Sequence, residues 1–313
     1  MLCGPLAAFA QTETPANDPD YARAISQFHA RDFKGSLAAI NAFLETHPQD
    51  AHALVLRGDD EAEIGDSTSA LRDYDAAIAV DPNYQYAYVT RCETRLATGN
   101  RDGALADCNA GVRLGPQDGL AYEDRGDVYF EGSDYAAALQ DYNRAVALGR
   151  NGAYIYGARC DSQRLVGNRA AAAADCAKAL TIEPNNRRAL WANARLATTG
   201  RNYPAAIGYL NRYIAQQPSR SDTGYYFRGL AYNRSGNYRA ALSDLQLYVK
   251  RVPGDPDGYF ERGIARFGTG DRAGAIADLT QAASRYRKAS DAASAARAAA
   301  ALAAVRAGRT PKL

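Results

Sequence analysis

The 313-residue chain has little of what most catalytic chemistry needs. It holds three histidines, His29, His47 and His52, which leaves everything beyond residue 52 without an imidazole base or metal ligand. A P-loop, a dinucleotide fingerprint, a nucleophile elbow and a zinc motif are all missing. No stretch reaches the roughly 18 consecutive apolar residues of a membrane-spanning helix. The Ala-rich segment 292–304 is interrupted by Ser294 and Arg297 and reads as a water-facing helix. Neither sign of charge prevails. With 37 Lys and Arg against 35 Asp and Glu the formal net charge is +2, which exerts no whole-molecule pull on nucleic acid or anionic lipid. The expectation is therefore no catalytic residue, no cofactor, no metal, no nucleic-acid partner and no membrane insertion.

What the chain does have is a beat of 34 residues. Proline recurs at Pro48, Pro82 and Pro116, skips once, and returns at Pro184 and Pro218. Glycine keeps the same spacing at Gly58 and Gly126, and again at Gly229 and Gly263. A fixed period of this length means stacked copies of one small unit. In the copy from Ala51 to Tyr84, Ala70, Tyr74, Ala77 and Ile78 share one helical face. Gly65 separates two helical halves, and Pro82 ends the second. Each copy is thus a helix, a tight turn and an antiparallel helix.

The fourth copy carries Gly126, Tyr129, Tyr135, Ala138, Tyr142 and Ala145, with Arg150 where a closing Pro would stand. The seventh carries Gly229, Tyr232, Gly236, Tyr238, Ala241, Leu245 and Pro253. This pattern resembles the tetratricopeptide repeat family over about residues 17–287. The resemblance implies an all-α, right-handed α-solenoid of about eight antiparallel helix pairs, beginning near Asn17, Ala51, Gln85, Gly119, Ala153, Arg187, Asp222 and Pro256. Residues 289–308 read as a capping helix over an array spanning 17–288, with a disordered tail at 309–313. Residues 1–16 read as a residual secretory leader and disordered N-terminus, because Ala8-Phe9-Ala10 has the small-x-small form of a cleavage site. A periplasmic or secreted location is expected, with Cys3 lost alongside the leader.

Because the repeats are copies, they can be compared with one another. Arg57, Arg91, Arg125, Arg159, Arg228 and Arg262 precede the small residue of the first helix. Asp73, Asp107, Asp141, Asp175, Asp244 and Asp278 stand sixteen residues later in the same six repeats. The sixth repeat lacks both, so an Arg–Asp pair is expected to bridge the two helices wherever both occur. The cysteines follow the same logic. Cys92 with Cys108, and Cys160 with Cys176, replace the Gly and Tyr of neighbouring repeats, and neither replacement occurs alone. Two cross-helix disulfides are expected, and bridges require an oxidising compartment.

The resemblance implies that the first helices line a concave groove that binds protein or extended peptide. If each Arg faces its own second helix, the residue two further on lies about 200° round. That reasoning places Asp59, Glu93, Asp127 and Asp161 on the groove, with Glu63, Glu123 and Glu131 nearby. The sixth repeat switches sign to Arg195, near Arg188, Arg220 and Arg234. Trp191, Tyr226, Phe260 and Phe267 add aromatic character. The expected groove is acidic in its N-terminal half and basic and aromatic in its C-terminal half. The expected partner is a protein or extended peptide, possibly basic. The alternative expectation is a structural adaptor that self-associates or docks in a cell-envelope assembly through the convex face. Asn233-Arg234-Ser235 also fits a glycosylation acceptor, a weak three-residue match.

Overall fold

The computed structural model describes residues 18–311. The leader-like segment, Cys3 and the last two residues lie outside them. All regular structure among the described residues is helical. The chain divides into two compact units, Met1–Val166 and Gly167–Leu313.

Unit one contains α1 (Pro19–His29), α2 (Phe33–Thr46), α3 (Ala51–Glu63), α4 (Ser67–Val80), α5 (Gln85–Ala97), α6 (Arg101–Leu114), α7 (Gly119–Glu131), α8 (Tyr135–Ala147) and α9 (Ala153–Leu165). Its helices pair in order, α1 with α2 through α7 with α8. The odd-numbered helices also touch one another, α1 with α3, α3 with α5, α5 with α7 and α7 with α9. Local chemistry starts and stops these helices. Asp50 accepts from the Ala53 amide at 2.9 Å and Asp66 from the Ser69 amide at 3.1 Å, satisfying donors that a helix start leaves open. Gly65, at φ +92°, makes the turn between α3 and α4. Ser133 occupies the corresponding turn of the fourth repeat at φ +63°, at a cost of roughly 1–2 kcal/mol for a residue with a Cβ.

Unit two contains α10 (Arg169–Ile182), α11 (Arg187–Thr199), α12 (Tyr203–Gln216), α13 (Asp222–Arg234), α14 (Tyr238–Arg251), α15 (Pro256–Gly268), α16 (Arg272–Lys288) and α17 (Ala292–Arg306), with a short 3-10 turn at Pro218–Arg220. The pairs are α11 with α12, α13 with α14 and α15 with α16. Helix α17 packs on α16, burying Ala295, Ala298, Ala301 and Val305 beside Phe260, Ile264 and Leu279. Asp291 caps its start by accepting from the Ser294 amide at 2.9 Å.

The small residue mid-way along each first helix has a direct cause. A Cβ built on Gly58 would lie 2.6 Å from Cε1 of Tyr74, and one on Gly126 would lie 2.6 Å from Cε1 of Tyr142. Both rings are fully buried. Two helices can approach this closely only where one of them lacks a side chain. In the third repeat Cys92 and Cys108 fill the same two places and bond to each other, with Cα atoms 5.5 Å apart. Cys160 lies on α9 of unit one and Cys176 on α10 of unit two, both buried.

The Arg–Asp pairs form in both units. Arg57 meets Asp73, Arg91 meets Asp107 and Arg125 meets Asp141 at 2.5, 2.6 and 2.7 Å. Arg228 meets Asp244 and Arg262 meets Asp278, each at 2.7 Å. Arg159 and Asp175 belong to different units. Each Asp is largely buried, so the pair fixes helix geometry more than it adds net stability.

Candidate functional site

In unit one the contacts among α3, α5, α7 and α9 set the expected acidic positions in a row along neighbouring helices. The carboxylates along this row are not freely exposed. Asp59, Glu123 and Asp161 are buried, and most of the group is engaged within the chain. Asp59 accepts from the hydroxyls of Tyr74 at 2.8 Å and Tyr86 at 3.3 Å. Asp127 repeats this arrangement 68 residues later, accepting from Tyr142 at 2.7 Å and Tyr154 at 2.5 Å. Glu123 is held by Arg150 at 2.7 Å, so the residue that replaces the closing Pro of repeat four ties that repeat's end back to its first helix. Asp161 pairs with Arg164 at 2.7 Å and Glu63 with Arg31 at 3.4 Å. Glu131 remains exposed.

Glu93 differs from these. Its carboxyl faces that of Asp124 on α7 within hydrogen-bond reach. Asp124 is buried, and its Oδ2 has no hydrogen-bond partner. Burial, opposed in part by the hydrogen bond to Asp124, pushes Glu93 up to about 7. Burial and the neighbouring carboxylates push Asp124 well up. Burial raises Asp59 to about 8, the two tyrosine hydroxyls opposing it. Desolvation penalises the charged form of each group, which explains the common direction.

In unit two the expected basic and aromatic residues are largely packed against one another. Trp191 meets Tyr213 and Phe227, with ring centroids 5.4 and 5.3 Å apart. The Arg195 guanidinium lies over the Phe227 ring at 3.7 Å. Tyr226 packs against Phe227 and Tyr248. Arg234 is bound to the buried Glu261 at 2.9 Å. Asn233, which also donates to Glu261, is 1% exposed, and this removes it as a glycosylation acceptor. Phe260 is core rather than groove, because it faces α16 and α17 and is 1% exposed beneath Arg297. Phe267 is half-buried against the same core. Arg188 is half-buried and Arg220 is exposed on the 3-10 turn.

Single-repeat reasoning missed two features. Several bridging Arg side chains also reach back to the second helix of the preceding repeat, Arg57 to Asn41 at 3.1 Å, Arg125 to Asn109 at 3.1 Å and Arg228 to Asn211 at 2.8 Å. The recurrence of Asn41, Asn109 and Asn143 at multiples of 34 was the available signal. The tyrosines Tyr86 and Tyr154 close over a carboxylate of the preceding repeat, and their 68-residue spacing matches that of Asp59 and Asp127. Among the described residues no group of three or more His, Cys, Asp or Glu side chains could hold a metal. No helix among them is long and apolar enough to cross a membrane.

Comparison with known proteins agrees with this geometry. The tetratricopeptide repeat model matches residues 21–84 and 93–153. No curated protein matches the sequence. Among solved structures, a chain of the APC/C hetero-tetramer Cut9-Hcn1 is similar with a TM-score of 0.67 and 15% identity, over 87% of this chain and 52% of that one. The chain thus spans about half the length of that relative. A tetratricopeptide repeat protein from Parabacteroides merdae gives 0.54 and 21% identity, over 75% of this chain and 93% of its own. Pseudomonas aeruginosa PilF gives 0.58 and 16%, over 65% and 93%. These likenesses concern the fold.

Proposed function

Since the chain belongs to the tetratricopeptide repeat family, we propose that it is a non-catalytic scaffold whose first helices form a groove for a protein or extended peptide. Tetratricopeptide repeats serve protein–protein interaction, and the specific surface is our reading. The observation that carries it is the direct contact of α3, α5, α7 and α9, which brings one acidic position from each of four successive repeats onto neighbouring helices. Neighbouring helices lie about 10 Å apart and an extended peptide advances about 3.3 Å per residue. A ligand with Lys or Arg at every third residue would match that row. Unit two would offer a surface of arginine and aromatic side chains around Arg195, Trp191 and Tyr226, suited to a carboxylate or an acidic patch. A rigid array loses little freedom on binding, so many modest contacts suffice.

We also propose export to an oxidising compartment. The Cys92–Cys108 bridge supports this, as does the leader-like start. By the copy relation Cys160 and Cys176 form a second bridge. Thiol titration of the denatured, unreduced protein should find neither pair free.

An octalysine peptide tests the groove. Glu93→Lys should weaken its binding at least tenfold, whereas Asp102→Lys, at an exposed position on the second helix α6, should leave it within twofold. Equal losses from the two changes would show nonspecific charge attraction and refute the groove.

A further inference from the structure

The carboxyl groups of unit one are not equivalent. Asp59 and Asp127 each receive two tyrosine hydroxyls. Glu123, Asp161 and Glu63 each receive a guanidinium. Glu93 and Asp124 receive neither: no hydroxyl, amide or guanidinium of the described residues hydrogen-bonds to them, and they face each other. The sequence shows why. Repeats two and four supply a tyrosine hydroxyl from the second helix to the acid of the first. In repeat three that tyrosine is Cys108, bound to Cys92, and the second donor's place, held by Tyr86 and Tyr154 in its neighbours, is Leu120. The disulfide therefore leaves Glu93 without a donor, and Asp124 is the polar group that meets it.

Among the described residues, the surroundings strengthen the demand for positive charge. From α7 Glu93 faces Glu123 and Asp127 besides Asp124, and from α3 it interacts with Asp59. The guanidinium groups on α5 itself turn away: Arg91 and Arg95 are bound to Asp107 on α6 and to Asp75 on α4. Arg150, which also acts on Asp124, is hydrogen-bonded to Glu123. Two carboxyl groups in contact cannot both ionise without a cation, so the empty pair holds one proton between them. The buried, unpartnered Oδ2 of Asp124 marks an acceptor with capacity to spare.

We infer that Glu93 and Asp124 form the position at which the groove takes one cationic group of its ligand, a lysine ammonium or an arginine guanidinium, between two carboxyl groups, and that one proton leaves as it enters. This rests on the groove reading and deepens it. The exchange balances: the free pair carries one negative charge with its proton, and the occupied pair carries two, offset by the ligand cation. The proton goes to solvent. Asp59, raised to about 8 by burial, would also give up a proton to a cation held there, and loss of the release in Glu93→Gln tells the two places apart. Recognition at this place is therefore proton-linked, strengthening as pH rises toward 7 and levelling above it, in line with Glu93 at about 7 in the free protein.

The test is calorimetric titration of the full chain with octalysine at pH 6 in two buffers of different ionisation enthalpy. About one proton should be released per peptide bound, and affinity should fall about tenfold for each pH unit below 7. Glu93→Gln should abolish the proton release and flatten the pH dependence. Asp102→Asn on α6 should leave both as in the wild type. Binding without proton release, or with release that survives Glu93→Gln, would overturn the inference and leave the groove standing. No binding by octalysine would overturn the groove as a site for basic ligands together with it. Carbon-13 titration of the free protein reads the pair without any ligand: Glu93 and Asp124 should titrate as a coupled pair with one step near pH 7, and independent titration of both near pH 4 would refute the shared proton.

Discussion

Repeats two and three stand side by side in unit one, share the same Arg–Asp bridge, and fill the space between their helices in opposite ways. In repeat two a glycine admits a buried tyrosine ring, whose hydroxyl runs on to Asp59. In repeat three a disulfide spans the gap and no hydroxyl is present. The first solution joins packing to polar satisfaction: ring, hydroxyl and carboxylate form one connected set, extended by Tyr86 from the next repeat. The second separates them, holding the helices covalently and leaving the acid at Glu93 to find another partner. Tyr74, Asp59 and Tyr86 recur as Tyr142, Asp127 and Tyr154, so the structural period of this region is two repeats, 68 residues, rather than one.

The largest effect should come from breaking the packed solution. Tyr74→Ala removes a fully buried ring facing a glycine, which leaves a cavity and an acid short of a donor. It should destabilise by about 3–5 kcal/mol, read by denaturant unfolding. A loss below about 1 kcal/mol would mean that the ring does not hold the repeat together. Next comes the covalent solution. Cys92→Ala with Cys108→Ala should cost roughly 3 kcal/mol, and a reducing agent should destabilise the wild type more than this variant, which keeps Cys160 and Cys176. Equal sensitivity of both would place the redox effect elsewhere.

The smallest effect sharpens the polar half of the contrast. Burial raises the Asp59 carboxyl to about 8, against about 4 in an unfolded chain. A carboxyl raised on folding contributes its stability at low pH and loses it as pH climbs from about 4 to about 8. Asp59→Asn has no such dependence. Its stability should therefore gain on the wild type as pH goes from 6 to 7, by at most about 1.4 kcal/mol. Melting curves at the two pH values would show it, and a gain of Asp59→Asn relative to the wild type on acidification instead would contradict the assignment.

Much of this fold was legible in the residues. Helix starts and turns followed the proline and glycine beat because those residues act on the backbone directly, and no neighbour can overrule Gly65 or Pro82. The Arg–Asp pairs and the first disulfide were legible because copies expose which residues change together. Exposure was not. A helical wheel assigned Asp59 its direction, but its depth depends on Tyr86, a residue of the next repeat, reaching back over it. Phe260 was misplaced for the same reason: its direction does not reveal that α16 and α17 close over it. Pairwise comparison at 34 residues also hid the 68-residue alternation, since Tyr86 and Tyr154 have Leu120 between them.

Hydrogen exchange of the full chain with and without octalysine tests the binding face most directly. The account predicts new protection on α3, α5 and α7, greatest where Glu93 faces Asp124, with α4, α6 and α8 unchanged. Protection confined to the second helices, or spread evenly over both sets, would contradict it.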